Sequence, residues 1–154
     1  MPDLSLYHYV YIITTLLTEY KIVFNDKKMV GDPMVSKRIM IVDDAIFMRK
    51  VLREILTENG YDVVGEVNRG TDVLEKFKDW KPDLVTMDIM LPGIDGIDAV
   101  REIMKVEKDA RIVMISALGQ DELVDEALKA GAKGFIVKPF IPSQVIDVIK
   151  KILG

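Results

Sequence analysis

The chain contains no cysteine, which excludes disulfides and thiolate metal sites. Its one histidine, His8, builds neither a zinc site nor a histidine-based catalytic pair within a single chain. Positive charge is also in deficit: 21 Lys and Arg stand against 25 Asp and Glu, a net charge of -4. A nucleic-acid binder needs a basic face for the phosphates, and this balance argues against one. Missing as well is an uninterrupted apolar run of membrane-spanning length. Residues 4–24 are apolar and aromatic, but Glu19 and Lys21 break them. A secretory signal would open on positive charge, whereas the only early charge here is Asp3. These absences lead us to expect a cytoplasmic protein with no membrane insertion and no nucleic-acid partner.

What is present suffices for one compact domain and an appendage. Hydrophobic residues make up 49% of the 154 positions and charged residues 30%, enough for a core and for a polar surface. Residues 1–35 read as an N-terminal extension. Tyr7, Tyr9, Val10, Tyr11, Ile12 and Ile13 favour strand, and Gly31-Asp32-Pro33 is a breaker cluster that reads as a linker. An added strand or helix docked on the domain, or a membrane-associating segment, also fits. An extension without an assigned role is preferred, because nothing in it carries chemistry.

From Ser36 onward strand and helix signals alternate. Arg38-Ile39-Met40-Ile41-Val42 is a short apolar run of the kind buried on both faces of a sheet. Phe47, Val51, Leu52, Ile55 and Leu56 then recur at helical spacing until Asn59-Gly60. Residues 61–67 predict a second strand, and residues 71–80 a helix capped by Thr71, with Val73, Leu74 and Phe77 inward. Lys81-Pro82 precedes a third strand over 83–88, and Leu91-Pro92-Gly93 a turn into a helix marked by Ile97, Val100, Ile103 and Met104. A fourth strand over 111–116 leads to a helix lined by Leu123, Ala127, Leu128 and Ala130. A fifth strand over 134–137 leads to the last helix, 142–153, with Val145, Ile146, Ile149 and Ile152 inward. This alternation predicts an α/β domain, residues 36–154, with a parallel sheet covered on both faces.

In such sheets the active crevice lies beyond the carboxyl ends of the strands. The residues there are Asp43 and Asp44, Asp88, Ser116 and Lys138. Singly, each fits a plainer role as a helix cap, a turn former or a solvated charge. Together they bring three carboxylates and an ammonium to one sheet edge. Clustered carboxylates repel and raise one another's pKa, and a hard divalent cation such as Mg²⁺ relieves that repulsion. A cofactor phosphate bound directly would call for a glycine-rich loop after the first strand, where Asp43-Asp44-Ala45-Ile46-Phe47 stands instead. The set suits phosphoryl transfer. Asp88 would attack as nucleophile, with Mg²⁺, Lys138 and the Ser116 hydroxyl each taking a phosphoryl oxygen.

Val42-Asp43-Asp44, Met87-Asp88-Ile89-Met90-Leu91-Pro92-Gly93, Ile115-Ser116-Ala117 and Val137-Lys138-Pro139-Phe140 resemble the signatures of the receiver (CheY-like) family of response regulators. The resemblance spans residues 37–153 with every motif in order. It implies a doubly wound, flavodoxin-like fold: a five-stranded parallel sheet in order 2-1-3-4-5 flanked by five helices. It further implies that Asp43, Asp44, Asp88 and the backbone carbonyl of Met90 hold Mg²⁺, with Mn²⁺ as a substitute. Asp88 would be the phosphoacceptor for a histidine kinase, and Ser116, Lys138 and the backbone of Ala117 would contact the phosphate. By the same resemblance, the Lys138–Pro139 bond is cis, Ser116 and Phe135 form the switch, and Met90 and Leu118 tune the phosphate lifetime. The switch aromatic is often tyrosine in the family, so the phenylalanine lacks any hydroxyl contact.

Phe47-Met48-Arg49 and Ala117-Leu118-Gly119-Gln120 look most like the single-domain chemotaxis regulators. That likeness implies a CheA-like kinase and, as further partners, a flagellar motor switch protein or a phosphatase. Gly154 directly follows the fifth helix, so the expected protein is a signalling switch without an output domain, catalysing only its own phosphorylation and dephosphorylation. A phosphorelay receiver is the alternative. A dehalogenase-type phosphatase is less favoured, because such enzymes need a second aspartate two residues after the nucleophile and Met90 stands there.

Overall fold

The computed structural model describes residues 35–154. The extension proposed for residues 1–35 therefore lies outside the described residues, apart from its last position. Five strands alternate with five α-helices: β1 (Arg38–Val42), α1 (Ile46–Glu58), β2 (Asp62–Val67), α2 (Val73–Trp80), β3 (Leu84–Met87), α3 (Gly96–Val106), β4 (Ile112–Ser116), α4 (Asp121–Ala130), β5 (Gly134–Val137) and α5 (Pro142–Leu153). The strands form one parallel sheet in the order β2-β1-β3-β4-β5. Both the fold class and the strand order are those expected.

Continuous apolar runs place β1, β3 and β4 at the centre, where Ile39, Met40, Ile41, Leu84, Val85, Ile112 and Met114 are fully buried. Successive side chains point to opposite faces. Met40, Val42, Val85, Met87 and Met114 pack with Val73 and Phe77 of α2, Ile97, Val100 and Ile103 of α3, and Ala127 of α4. On the other face α1 buries Met48, Val51, Leu52, Ile55 and Leu56, and α5 buries Val145, Ile146 and Ile149.

Three local expectations are corrected. Phe47 is substantially exposed, and Met48 takes the inward place, because the buried stripe of α1 starts one residue later. Leu128 points outward, leaving Ala127 as the buried residue of α4. Thr71 does not cap a helix. A 3₁₀ turn, Gly70–Asp72, precedes α2, and the Thr71 hydroxyl donates to the Asp72 carboxylate.

Candidate functional site

The winding of the chain reverses between β1 and β3, so the crevice of this sheet opens beyond their carboxyl ends. The parallel ladder continues one residue past each strand there. The Asp43 N–H donates to the Val67 carbonyl, the Asp88 N–H to Val42 and the Lys138 N–H to Ser116, all within 3.0 Å. The functional side chains therefore project from backbone already fixed by the sheet rather than from free loops.

Asp43, Asp88 and Ser116 are buried in the crevice floor, whereas Asp44 is exposed at its rim. Lys138 Nζ lies 2.8 Å from Asp43 Oδ2 and 3.1 Å from Asp88 Oδ2. The remaining oxygens of this pair are aimed by backbone amides. Asp43 Oδ1 accepts from the Ala45 N–H at 2.8 Å, and Asp88 Oδ1 from the Met90 N–H at 3.3 Å. Ser116 Oγ accepts from the Leu118 N–H at 3.3 Å. Met90 is exposed and Leu118 half-buried. Ala117 is exposed beside Ser116, and the Lys138–Pro139 peptide is cis. Phe135 is half-buried against the core shared with α2, α3 and α4.

Carboxylate oxygens of Asp43, Asp44 and Asp88 all lie within 4.8 Å of one another. Three hard anionic donors this close together are the donor set that suits Mg²⁺, which keeps remaining positions for water or phosphate oxygens. Burial pushes the Asp43 carboxyl up, and Lys138 and the Ala45 N–H offset this only in part. Burial alone would push the Lys138 ammonium down, but its hydrogen bond to Asp43 and the charges of both aspartates outweigh it and hold the lysine above its ordinary value. Lys138 thus faces both buried carboxylates as their shared cation.

Two supports of the crevice were not anticipated. Gly96, at the start of α3, lies against the backbone of Asp88. A Cβ there would stand 1.9 Å from the Asp88 carbonyl oxygen, a contact no rotamer change relieves. Gly96→Ala is therefore expected to cost about 3 kcal/mol by overpacking and to lower the melting temperature by about 10 °C. A thermal melt within a few degrees of the parent would show that α3 shifts away without strain.

The second support is charged. Glu66 of β2 accepts from Arg49 Nε at 3.0 Å and from Arg53 Nε at 2.5 Å. Burial pushes Glu66 up, but the hydrogen bonds and charges of Arg53 and Arg49 prevail and hold it below the ordinary glutamate range. A carboxyl lowered on folding contributes stability that is complete above its unfolded pKa and is lost as pH falls through the folded one. The expected result is that Glu66→Gln narrows the gap in urea-unfolding free energy between pH 7 and pH ~3. An unchanged gap would remove Glu66 from the acid sensitivity of the domain.

Comparison with known proteins follows the same lines. The sequence profile of the response regulator receiver domain matches residues 39–150. The chain is 54% identical over 117 residues to the chemotaxis protein CheY of Thermotoga maritima, spanning 76% of this chain and 98% of that protein. It is 50% identical over 119 residues to CheY of Bacillus subtilis, spanning 77% and 99%. Among solved structures, the complex of CheX, CheY, BeF₃ and Mg²⁺ from Borrelia burgdorferi matches with a TM-score of 0.75 and 38% identity, over 77% of this chain and 90% of that one. Fold and sequence identity agree, and the chain belongs to the response regulator receiver domain family, with close relatives among CheY chemotaxis proteins.

Proposed function

We propose that this chain is a chemotaxis response regulator that accepts a phosphoryl group from a histidine kinase on Asp88 in a Mg²⁺-dependent reaction. The observation that carries the reading is the placement of the buried Asp88 carboxylate beside the Lys138 ammonium and two further carboxylates, at the reversal point of the sheet. Asp43, Asp44, Asp88 and the Met90 carbonyl would hold the metal ion. Bound there, Mg²⁺ neutralises charge on phosphoryl oxygens.

The remaining work falls to the side chains. Asp88 supplies an oxygen that bonds to phosphorus as the phosphorus–nitrogen bond of a phosphohistidine breaks. No general base is needed, because a carboxylate is already deprotonated at neutral pH. Lys138, seated between Asp43 and Asp88, would meet a phosphoryl oxygen on Asp88. The Ser116 hydroxyl and the Ala117 amide would take another, and Phe135 would follow Ser116 inward.

A CheA-like kinase is the donor that fits the CheY relatives, and a motor switch protein or a phosphatase is the partner that reads the change. The CheX, CheY, BeF₃ and Mg²⁺ complex from Borrelia, in which a CheY is bound to a second protein, supports a protein partner of this kind. No helix among the described residues is long and apolar enough to cross a membrane. The test is intact mass after incubation with acetyl phosphate. One base-labile phosphoryl group should appear with Mg²⁺ and not with a chelator. Equal uptake under both conditions would overturn the metal dependence.

The phosphate lifetime follows from Met90 and Leu118, which flank Asp88 and Ser116 and offer no side-chain hydrogen bond to an attacking water. Slow self-dephosphorylation is expected, with Leu118→Gln hydrolysing about tenfold faster by orienting that water. Equal decay of the parent and the variant would contradict this assignment.

A further inference from the structure

We infer that Arg49 is a positioning residue for the divalent-cation site. It clamps the loop bearing Asp43 and Asp44 from behind and is itself anchored by Glu66 of β2. The inference rests on the function proposed for the crevice and adds a residue to it. Arg49 Nη1 donates to the Asp43 carbonyl at 2.8 Å and to the Asp44 carbonyl at 3.2 Å, while Nε donates to Glu66 Oε2 at 3.0 Å. Its side chain is only 12% exposed. One guanidinium thus ties two consecutive carbonyls of the β1–α1 loop to the neighbouring strand.

The need for such a clamp follows from how the two aspartates are held. The Asp43 side chain is fixed by Lys138 and the Ala45 N–H. Asp44 is exposed, and the position of its carboxylate depends on the peptide planes on either side of it. Both loop carbonyls turn back toward Arg49, and neither belongs to the sheet ladder or to the hydrogen bonds of α1. Released from the guanidinium, these planes would be free to rotate and carry the Asp44 carboxylate out of reach of Asp43 and Asp88. Arginine suits the task because its planar fork directs several donors at fixed angles from one group.

Charge and position make opposite predictions, which allows them to be separated. A cation near three carboxylates repels a divalent ion, so Arg49 acting only through charge would weaken binding, and Arg49→Gln would tighten it. Arg49 acting by position means that Arg49→Gln weakens binding despite the charge removed. Arg49→Lys keeps the charge but has one ammonium to serve three acceptors, so it falls between the parent and Arg49→Gln. Glu66→Gln loosens the anchor and leaves the arginine in place.

The experiment is Mg²⁺ titration of the full chain by calorimetry, alongside acetyl phosphate uptake as a function of Mg²⁺ concentration. Arg49→Gln is expected to raise the half-saturating Mg²⁺ concentration about tenfold, the usual scale for removing an outer partner of a metal ligand. Arg49→Lys should raise it less, and at saturating Mg²⁺ the uptake rate of both variants should return to within about twofold of the parent. Unchanged or tighter Mg²⁺ binding in Arg49→Gln overturns the inference, even if the variant melts at a lower temperature. Should Arg49→Gln not fold, Glu66→Gln decides by the same titration: weaker binding supports the clamp and unchanged binding overturns it. Calorimetry reads the ion directly, so a parent that binds Mg²⁺ but takes up no phosphoryl group refutes the proposed function and leaves the clamp to its own result.

Discussion

Asp88→Asn is expected to abolish phosphoryl uptake from acetyl phosphate while leaving the domain folded. The substitution is isosteric and removes the negative charge that makes the oxygen a nucleophile. Its remaining carbonyl oxygen still suits the Met90 N–H that now meets Asp88 Oδ1. Lys138 keeps its shorter bond to Asp43, at 2.8 Å against 3.1 Å to Asp88, so the buried ammonium is not orphaned. One carboxylate also leaves a cluster of three, which relieves repulsion. Stability in a chelating buffer should therefore stay within about 1 kcal/mol of the parent, the scale of an ordinary surviving hydrogen-bond change. Persistent phosphorylation of a folded Asp88→Asn protein would sink the assignment of the acceptor.

Lys138→Met should show the opposite balance. Its side chain, 9% exposed, carries the cation that Asp43 and Asp88 share, and both aspartate side chains are under 10% exposed. Removing it strands two buried carboxylates together, and breaking a buried pair from one side costs about 3–5 kcal/mol. Mg²⁺ binds the same carboxylates, so adding it should recover part of that loss by mass action. Phosphoryl uptake should nonetheless stay slower by a factor on the order of 100, because a preorganised charge facing the transferring group is gone. Urea melts with and without Mg²⁺ check the first half, and single-turnover uptake checks the second. A stability loss indifferent to Mg²⁺ would mean that Lys138 and the metal do not serve the same carboxylates.

The crevice was legible in the sequence for a physical reason. Each of its main side chains lies within one residue of a strand end, and parallel α/β sheets put all those ends on one edge. Asp43, Asp88, Ser116 and Lys138 could be grouped without knowing any distance; the structure joins Asp43, Asp88 and Lys138 by hydrogen bonds and buries Ser116 at the end of the adjacent β4. The β1–β3 adjacency was not readable from alternation and came only with the resemblance to receiver domains.

Other features depend on partners distant in sequence. Glu66 looks like an ordinary charge in a half-buried strand, and only the fold places it beside Arg49 and Arg53, 17 and 13 residues away. Gly96 reads as a helix start, and nothing local announces the Asp88 carbonyl against it. Phe47 and Met48 are adjacent and both apolar, so periodicity alone could not decide which faces the core. Tertiary packing chose Met48.

Borohydride reduces an aspartyl phosphate to homoserine, which marks the acceptor permanently for peptide sequencing by mass spectrometry. After treatment with acetyl phosphate and Mg²⁺, homoserine is predicted at position 88 and at no other aspartate. Homoserine at position 43 or 44 with Asp88 intact would mean that Asp88 is not the phosphoacceptor.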